Sequence, residues 1–463
     1  MENNVAMTES LDKLLKEFLL HDLEDEEICF AVWYPAKGKS RYSALVKEII
    51  LPQDGDRERH GNVSAFPQYL DRVKEYARTK GGGVAMIHTH PFSAGWQGVS
   101  KPDLHYEQDV LSREIFGVTG LPLVGMTLAG DGTWSARIYP KPYTIQWCSA
   151  VRIIGKNLKI HFNPDMKPAP KPSPMQIRTA SVWGDKKQAD IMRLSVCIIG
   201  AGSVGSAVGE ILARMGVKKI LLMDYDKVKI HNLDRIIHAT NADIDQKKID
   251  VVQRNLRKSA TTTNFVCEAS TNSIVEEDGY EEALDYDVIF SCVDRPWPRH
   301  VLNHLSYSCL IPVIDGGITF KIEKKKMIHG MYRAQTVGPE RPCMSCIGAI
   351  NLSQVQMDRD GMFDDPEYIE KQESISGPTR QNIMPFVFAL SGLETIQFVE
   401  LVTNVGKVGD LGQQPYNYYT GEIIPEHKTC VEGCEYVKII AFGDNQRPFL
   451  GIDKSRQREM DRR

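Results

Sequence analysis

One stretch of the sequence, residues 195–235, limits the fold of this chain more than any other. An apolar run at residues 196–199 leads directly into a Gly-X-Gly-X-X-Gly turn. The three glycines of this turn are Gly200, Gly202 and Gly205. A segment with helical character follows, and a second apolar run at residues 220–223 ends on Asp224. This succession of strand, glycine turn, helix, strand and acid is typical of a βαβ unit that binds dinucleotides.

The residue types in this unit indicate which part of a nucleotide each would contact. Glycine lets the backbone turn tightly and approach a phosphate, and the N-terminus of the next helix attracts that anion. Asp224 is placed to accept hydrogen bonds from ribose hydroxyls. Asn232 and Arg235 follow, and an arginine suits a triphosphate, on which charge develops as pyrophosphate leaves. The sequence therefore favours an ATP-using enzyme over the alternative, an NAD-dependent oxidoreductase.

These motifs resemble those of the ThiF/MoeB/HesA family of ubiquitin-activating-type adenylating enzymes, over residues 178–434. The resemblance implies that the three glycines lie against the nucleotide and that Asp224 holds the ribose. It also implies that Asn232 and Arg235 contact phosphates.

The same resemblance assigns three further charged residues. Lys248 matches the family lysine that neutralises phosphate charge, with the adjacent Lys247 as the alternative. Asp294 matches the aspartate that binds magnesium. Arg178 resembles an arginine that reaches the phosphates from a partner subunit, with a surface arginine as the alternative. Because family members dimerise through this domain, the resemblance implies a homodimer.

Two closely spaced cysteine pairs lie late in the chain. They are Cys343 with Cys346 and Cys430 with Cys434. Four thiolates from distant points of a chain make a closed structural zinc site, and these pairs resemble the zinc ligands of the family. The alternative is four reduced cysteines without a metal.

The interval between the two pairs contains no cysteine. Family members that form a thioester carry their active cysteine there, near the position where this chain has Ser-Ile-Ser-Gly-Pro-Thr at residues 374–379. We therefore expect the reaction to stop at the acyl-adenylate, with Cys292 or a zinc-pair cysteine as less favoured acceptors.

A second group of chemically active residue types lies nearer the N-terminus. The sequence His88-Thr-His90-Pro follows an apolar run, and Asp103 comes after it. Histidines two residues apart on a strand point the same way, so both could bind one zinc ion with Asp103 as the third ligand. Glu27 would then be the general base, and Ser100 would donate to the developing oxyanion.

This second pattern, over residues 26–139, resembles the JAB/MPN (JAMM) metalloproteases, in which such a glutamate, an H-x-H-P and an S-x-x-D form the site. The interval from His90 to Asp103 is longer than the usual family spacing. The alternatives are a pseudo-protease that keeps the fold, or two unrelated core histidines. His105 is expected at the surface.

The predicted elements divide the chain into two domains. Strands and helical stripes mix in residues 1–160, which predicts an α+β domain of JAB/MPN type that begins with an amphipathic helix. Residues 161–175 are rich in proline and are expected to form an extended linker. Strands and helices alternate in residues 176–452, which predicts a Rossmann-like, mostly parallel α/β sheet. The charged residues 453–463 are expected to be a frayed tail.

Composition bounds the partners of the chain. A net charge of −4 over 463 residues gives no reason to expect a nucleic acid or an acidic membrane surface as a partner. No apolar run approaches the roughly 18 residues of a transmembrane helix. The N-terminus is polar and does not read as a signal peptide, and ten cysteines in so long a chain suit reduced thiols and metal ligation. We therefore expect a cytoplasmic protein.

The two resemblances imply one substrate for both domains. Adenylating enzymes of the first family use ATP and Mg²⁺ to activate the C-terminal glycine of a ubiquitin-like or sulfur-carrier protein. JAMM-type enzymes use Zn²⁺ to cleave after such a C-terminus, which processes a precursor or releases a conjugate. We expect a carrier ending in Gly-Gly as the partner, and a conjugating enzyme as a further one. Such fusions resemble bacterial ubiquitin-like conjugation systems, some of them antiviral; a catalytically silent scaffold is the alternative.

Overall fold

The structure is a computed structural model that describes residues 1–21, 25–323, 326–365, 368, 370 and 382–461. The chain forms two compact units. The first unit comprises Met1–Pro168 with the short segments Ser308–Leu310 and Ile439–Arg447, and the second comprises Ala169–Tyr307, Ile311–Lys438 and Pro448–Arg463. The two short segments carry no local pattern from which their membership of the first unit could be predicted.

The first unit is built on a nine-stranded mixed sheet with helices on both faces. Its strands are β1 (Glu2–Thr8), β2 (Ile28–Lys37), β3 (Arg41–Ile50), β4 (Arg57–His60), β5 (Asn62–Ala65), β6 (Gly83–His90), β7 (Leu123–Ala129), β8 (Trp134–Tyr139), β9 (Gln146–Trp147), β10 (Ala150–Ile154) and β11 (Leu158–Phe162). Its helices are α1 (Glu9–Leu19), α2 (Pro67–Lys80), α3 (Lys101–His105) and α4 (Ser112–Thr119), with a π-helical turn at Tyr106–Leu111. The sheet order is β11-β10-β1-β3-β2-β6-β7-β8-β9, and β4 and β5 form a separate ribbon.

Alternate residues of β2 separate the two cores of this unit. Phe30 and Val32 pack in the core that contains residues of α2 and α4, whereas Ala31 and Trp33 pack in the core that contains residues of α1. Successive side chains of a strand point to opposite faces of its sheet. The register of β2 against its neighbour β6 therefore decides which side chains can meet.

The chain begins with a strand, and the expectation that its first element is a helix is wrong. Residues 5–7 of β1 are buried, and β1 lies between β10 and β3, parallel to both. The expected helix α1 follows at once, and Thr8 caps it by accepting a hydrogen bond from the Leu11 backbone N–H. Polar Asn3 and Asn4 interrupt the apolar pattern of β1, which is why periodicity does not reveal it.

The second unit is built on an eight-stranded sheet whose first five strands, in spatial order, are parallel. Its strands are β12 (Ser195–Ile199), β13 (Lys219–Met223), β14 (Val266–Ser270), β15 (Val288–Ser291), β16 (Val313–Glu323), β17 (Lys326–Val337), β18 (Gln414–Asn417) and β19 (Glu422–Ile423). Its described helices are α5 (Ile177–Trp183), α6 (Asp185–Ile191), α7 (Ser203–Met215), α8 (Lys248–Ser259), α9 (Glu277–Ala283), α10 (Pro296–Ser308), α11 (Leu352–Arg359), α12 (Met384–Thr403), α13 (Glu435–Lys438) and α14 (Lys454–Asp461). The sheet order is β14-β13-β12-β15-β16-β17-β18-β19, which is the Rossmann-like α/β sheet that the sequence predicts.

The carboxyl ends of the parallel strands meet at one edge of this sheet. Ile199 of β12 lies opposite both Met223 of β13 and Ser291 of β15. The residues that follow these strands are the glycine turn, Asp224 and Asp294. They therefore share the edge at which open parallel sheets bind ligands.

The helix α12 is apolar and long enough, by length and composition alone, to cross a bilayer. It has 20 residues with a mean hydropathy of 1.4, and 67% of its apolar window is buried inside the protein. Phe386, Leu390 and Leu393 pack with Tyr332 and Ala334 of β17. The expectation that no apolar run approaches this length is wrong, and the burial is that of a core helix packed on a sheet.

The end of the chain forms α14, and the expectation of a frayed tail is wrong for residues 453–461. Asp453 is 8% exposed and accepts a hydrogen bond from Ser273 Oγ at 2.6 Å. Arg456 donates to the carbonyl oxygen of Thr271 and to Glu276. These partners lie far away in the sequence, so a charged composition alone does not reveal them.

Candidate functional site

The glycine turn after β12 is shaped by close backbone contacts. Gly200 has a φ of +96°, which side chains disfavour, and a Cβ there would lie 2.5 Å from the carbonyl oxygen of Cys292. A Cβ on Gly205 would lie 1.9 Å from the carbonyl oxygen of Gly200. A Cβ on Gly202, in contrast, would meet no described atom within 4 Å. The fold therefore requires glycine at 200 and 205. Gly202 is the N-cap residue of α7 and leaves no side chain over the N-terminus of that helix.

Asp224 lies beside this turn and faces a buried lysine. Its Oδ2 accepts a hydrogen bond from the Ala201 N–H and its Oδ1 from the Asp226 N–H, both at 2.8 Å. Lys248, the first residue of α8, places Nζ 4.0 Å from Asp224 and 2.6 Å from Asp226. Burial lowers the pKa of Lys248, but the charges of the two aspartates outweigh burial and raise it. Burial raises the pKa of Asp224, and the charge of Lys248 opposes that rise.

Asp294 belongs to the same group of charges. It lies close enough to Lys248 for its charge to raise the pKa of that lysine. Lys247, the alternative, occupies the N-cap position of α8 and forms an isolated β-bridge with Lys227. The structure thus brings Asp224, Lys248 and Asp294 together at the carboxyl edge of the sheet.

The side chains of the other predicted phosphate contacts form hydrogen bonds to residues of their own segments. Asn232 is buried, and its Oδ1 accepts a hydrogen bond from the Lys229 N–H at 3.0 Å. Arg235 donates from Nη1 to the carbonyl oxygen of His231 and to Asp234. Their roles toward phosphate stay predictions. Arg178 is exposed on α5, and its role across a subunit interface also stays a prediction.

The four cysteines predicted to bind zinc lie together in the second unit. Their Sγ atoms all lie within 4.8 Å of one another, and the Cys434 Sγ is 3.8 Å from those of Cys343 and Cys346. A tetrahedral site with Zn–S bonds of about 2.3 Å requires S···S separations of about 3.8 Å. Backbone N–H groups of Cys343 and Val431 donate to the Sγ atoms of Cys430 and Cys346. The donor set and its geometry therefore fit a structural zinc ion.

One thiol of this cluster is favoured as a thiolate. A hydrogen bond with Cys343 is the first cause that lowers the pKa of Cys430, which falls to about 5. By contrast, burial followed by the charges of Glu394 and Asp315 raises the pKa of Cys292 well above its ordinary value. Cys292 is therefore a poor nucleophile. Residues 374–379, where the family places its active cysteine, lie outside the described residues.

His88, His90 and Asp103 form a second candidate metal cluster, in the first unit. One ligand atom from each lies within 4.8 Å of the others, and the Nε2 atoms of His88 and His90 lie 3.6 and 3.9 Å from Asp103 Oδ2. Burial lowers the pKa of His88 to about 3, so this histidine is neutral, as a metal ligand must be. Ser100 caps α3 and donates to Asp103 Oδ2 at 2.6 Å, so it orients a ligand. The donor set of two imidazoles and a carboxylate fits zinc with a fourth position left open.

The structure does not bring Glu27 to this cluster. Ile28 pairs with His88 across β2 and β6, so Glu27 points to the opposite face of the sheet. There Glu27 is fully buried and accepts two hydrogen bonds from Arg57, one of them from Nη2 at 2.7 Å. The assignment of the general base to Glu27 is therefore corrected.

The adjacent Glu26 is close enough to His90 and Asp103 for their charges to act on its carboxyl group. Burial raises its pKa, while the nearby charge of His90 lowers it and that of Asp103 raises it. Glu26 is therefore the glutamate whose charge is coupled to two of the proposed metal ligands. Two adjacent glutamates are equivalent in the sequence, and only the register of β2 against β6 separates them.

A buried ion pair that no sequence motif indicates lies behind His88. Arg137 of β8 and Glu107 of the π-helical turn are both fully buried, and Arg137 Nε donates to Glu107 at 2.6 Å. Arg137 also donates to Thr127 Oγ1, which lies 3.5 Å from His88 Nε2. Gly125 makes room for the pair, because a Cβ there would lie 2.3 Å from Glu107. An arginine in a strand that is otherwise apolar or small is the signal that could have found this pair.

Comparisons with known proteins bear on the second unit. The sequence profile of the ThiF family matches residues 175–424. Adenylyltransferase and sulfurtransferase MOCS3 of Caenorhabditis briggsae is 25% identical over 166 residues, which are 36% of this chain and 39% of that protein. Ubiquitin-like modifier-activating enzyme 5 of Mus musculus is 27% identical over 203 residues, which are 41% of this chain and 48% of that protein. The chain thus spans less than half the length of these relatives.

A solved structure shows a weaker likeness. The crystal structure of E. coli MccB with MccA-N7isoASN is 16% identical, and the match covers 57% of this chain and 75% of that one with a TM-score of 0.45. A TM-score of 0.45 is too low to support an inference about the site.

Proposed function

This chain belongs to the ThiF family, and from that premise we propose that it uses ATP and Mg²⁺ to adenylate the C-terminal glycine of a ubiquitin-like or sulfur-carrier protein. The observation that carries the proposal is the grouping of Asp224, Lys248 and Asp294 beside the glycine turn. The two relatives support the substrate classes, since one is an adenylyltransferase and sulfurtransferase and the other a ubiquitin-like modifier-activating enzyme.

Each side chain of this group has a task that follows from its surroundings. Asp224 keeps unused lone pairs beside its two backbone hydrogen bonds and would accept the ribose hydroxyls. Lys248, held protonated by its acidic neighbours, would neutralise phosphate charge. A magnesium ion held by Asp294 would supply Lewis acidity at the phosphates. One carboxylate oxygen of the carrier then forms a bond to the α-phosphorus, while the bond from that phosphorus to pyrophosphate breaks.

The proposal also states where the reaction ends. The raised pKa of Cys292 disfavours its thiolate, and the four clustered cysteines fit zinc. We therefore expect an acyl-adenylate and no thioester on the described cysteines, which mass spectrometry of the denatured reaction mixture checks.

For the first unit, we propose a JAB/MPN-like zinc hydrolase that cleaves after the carrier's C-terminus. The support is the convergence of His88, His90 and Asp103, with Glu26 near enough for the charges of His90 and Asp103 to act on it. A zinc ion held there would supply Lewis acidity toward the scissile carbonyl. Glu26, whose pKa is raised by burial, is suited to take a proton from the attacking water and return it to the leaving amine.

ATP–pyrophosphate exchange tests the adenylating activity. Exchange should depend on a carrier that ends in Gly-Gly, drawn from a panel of ubiquitin-like and sulfur-carrier proteins. Lys248→Met should lower kcat/KM by about a hundredfold or more, because phosphate charge loses its buried counter-ion. The matched control is Lys258→Met, which removes an exposed lysine near the end of the same helix.

Nucleotide competition separates the proposal from an oxidoreductase. ATP should displace a fluorescent ATP analogue from the wild-type chain, whereas NAD should not. Displacement by NAD at lower concentration than ATP, or exchange that survives Lys248→Met unchanged, would contradict the proposal.

A further inference from the structure

The loop between His90 and α3 is anchored to the rest of the first unit by several contacts. Ser93 donates from its backbone N–H and from Oγ to the carbonyl oxygen of His90, at 3.1 and 2.7 Å. The Gly95 N–H donates to Asp131 Oδ2 at 2.9 Å, and Trp96 packs against the core that contains residues of α1. This loop is the interval that is longer than the usual JAB/MPN spacing, and these contacts fix its path.

Gln97 lies in this loop, and its side-chain amide is held in one orientation. Its Nε2 donates to the carbonyl oxygens of Ala94 and Gly95, at 2.9 and 3.0 Å. An amide nitrogen only donates and an amide oxygen only accepts, so the two carbonyls decide which end of the amide faces them. The other end, Oε1, therefore faces His90 and lies 3.5 Å from its Nδ1.

The contact with Gln97 selects one tautomer of His90. Because Oε1 only accepts, the hydrogen of the neutral imidazole must lie on Nδ1 for the two side chains to bond. The Nε2 atom then keeps its lone pair, and this atom lies 3.9 Å from Asp103 Oδ2 in the candidate metal cluster. A histidine that binds a metal generally donates its other ring N–H to an oxygen acceptor, which orients the ring and sets its tautomer.

The two histidines of the cluster differ in how strongly packing confines them. The side chain of His88 is only 2% exposed, and its Nδ1 has no hydrogen-bond partner in the described structure. Packing alone therefore holds the His88 ring. The side chain of His90 is 20% exposed, so packing leaves its ring more freedom. The orientation of His90 consequently depends on the acceptor that Gln97 provides.

We propose that Gln97 is a positioning residue of this metal cluster, which holds the His90 ring with Nε2 free to bind zinc. The inference rests on the proposed zinc hydrolase, to which it adds a residue outside the set of metal ligands. The longer interval between His90 and Asp103 then has a task, because it carries the acceptor that orients the histidine at its own start.

Competition with a zinc chelator tests this role in the full chain carrying Cys343→Ser, the parent protein of the experiment. His88→Ala in the same parent measures the zinc that does not belong to the cluster. Gln97→Met should weaken zinc binding at the cluster by about tenfold or more, and Gln97→Glu, which keeps an oxygen acceptor, should restore the affinity to within about threefold of the parent. Gln68→Met is the matched control, since the Gln68 amide also donates to a loop carbonyl, that of Gly55 at 2.7 Å. It should leave the zinc affinity unchanged.

Bound Co²⁺ gives a readout that a purely structural role of Gln97 would not change. The visible absorption of Co²⁺ depends on the geometry of its ligands. The spectrum should therefore change in Gln97→Met and return toward that of the parent in Gln97→Glu. The melting temperature of the metal-free protein should stay near that of the parent in both variants, because Gln97 is only half-buried and its Nε2 bonds stay within the loop.

The outcomes separate the role of Gln97 from the hydrolase itself. Equal zinc affinity in Gln97→Met and the parent, an equal loss in Gln97→Met and Gln97→Glu, or a loss accompanied by a lower melting temperature of the metal-free protein would each overturn the positioning role. If the parent binds no more zinc than His88→Ala, the zinc site and the positioning role both fail. If zinc binding depends on Gln97 as expected but no carrier fusion is cleaved, the hydrolase fails and the positioning role stands.

Discussion

Gly202 and Gly205 belong to the same motif, but glycine is present at the two positions for different physical reasons. A Cβ on Gly205 would overlap the carbonyl oxygen of Gly200, whereas one on Gly202 would meet no described atom. Gly205→Ala should therefore lower the stability and the ATP affinity together. Gly202→Ala should change the free energy of unfolding by less than about 1 kcal/mol, yet weaken ATP binding by about tenfold or more. Urea unfolding and titration with a fluorescent ATP analogue measure both quantities, and unchanged ATP affinity in Gly202→Ala would rule out close approach of phosphate at this turn.

Glu26 and Glu27 make a second pair of neighbours with separate tasks. Glu26→Gln should keep the zinc bound by His88, His90 and Asp103 but lower cleavage of a carrier fusion by a factor of about a hundred or more, because the proton acceptor is lost. Cleavage rate and zinc content by atomic emission, both in a Cys343→Ser background that removes the other zinc, check the prediction.

Glu27→Gln is the matched control for this experiment. It leaves the metal ligands and Glu26 in place but removes the buried charge that pairs with Arg57. Stability should fall by about 3 kcal/mol, with the cleavage rate of the folded fraction retained. The reverse pattern, lost cleavage in Glu27→Gln and normal cleavage in Glu26→Gln, would restore the assignment made from the sequence.

Residue types could be predicted at this scale, but strand register could not. The two histidines and Asp103 follow from spacing because alternation along one strand fixes their common direction. The choice between adjacent glutamates depends on how β2 pairs with β6, which no local pattern encodes. Arg137 stands out in its strand, but its partner could not be predicted, since Glu107 comes from a separate helical turn.

Among the elements, the four-cysteine cluster joins the segment after β17 to the segment before α13. If it binds zinc as proposed, wild-type protein should contain about one zinc ion per chain at this cluster, and Cys343→Ser should lose it. The melting temperature should fall by several degrees, because the metal no longer ties two distant segments together. Cys309→Ser is the control, since Cys309 is buried outside the cluster. Equal melting temperatures and equal zinc contents in Cys343→Ser and wild type would leave four reduced cysteines as the interpretation.

Elements that are apolar along their whole length could be predicted from the sequence. Elements that bury polar side chains against distant partners could not. β12 and β13 are continuous apolar runs because helices cover both faces of a parallel sheet. β1 escapes detection because its first half is polar, although β10 and β3 enclose it on both sides. α14 escapes detection because its polar side chains are paired with residues near Glu276, which its own sequence does not show.

For the whole molecule, the homodimer that the family resemblance implies leads to a complementation test. If Arg178 completes the site of a partner subunit, Arg178→Ala and Asp294→Ala should each be inactive in ATP–pyrophosphate exchange. Mixing and reassociating the two variants should restore about a quarter of the wild-type activity, because half of the dimers are mixed and each of these has one intact site. Full activity in Arg178→Ala alone, or a monomer by light scattering at micromolar concentration, would exclude this role for Arg178.

The membership of the ThiF family could be predicted from the sequence because its motifs are local. Gly200, Asp224 and Asp294 each follow a strand, and parallel topology brings strand ends to one edge. The approach of Arg333 to Gly317 could not be predicted, because it depends on the antiparallel pairing that places these two residues opposite each other.

The return of Ile439–Arg447 to the first unit affects the order in which the chain can fold during synthesis. Within that unit Phe442 lies 4.9 Å from the ring of Tyr34, and Lys47 donates to the carbonyl oxygen of Ile440. A ribosome releases the chain from its N-terminus, so β2 and β3 emerge long before the segment that covers them. The first unit therefore stays incompletely packed until residues 439–447 have been made. A protein truncated within the proline-rich linker would lack residues 439–447, so its first unit could not complete its packing.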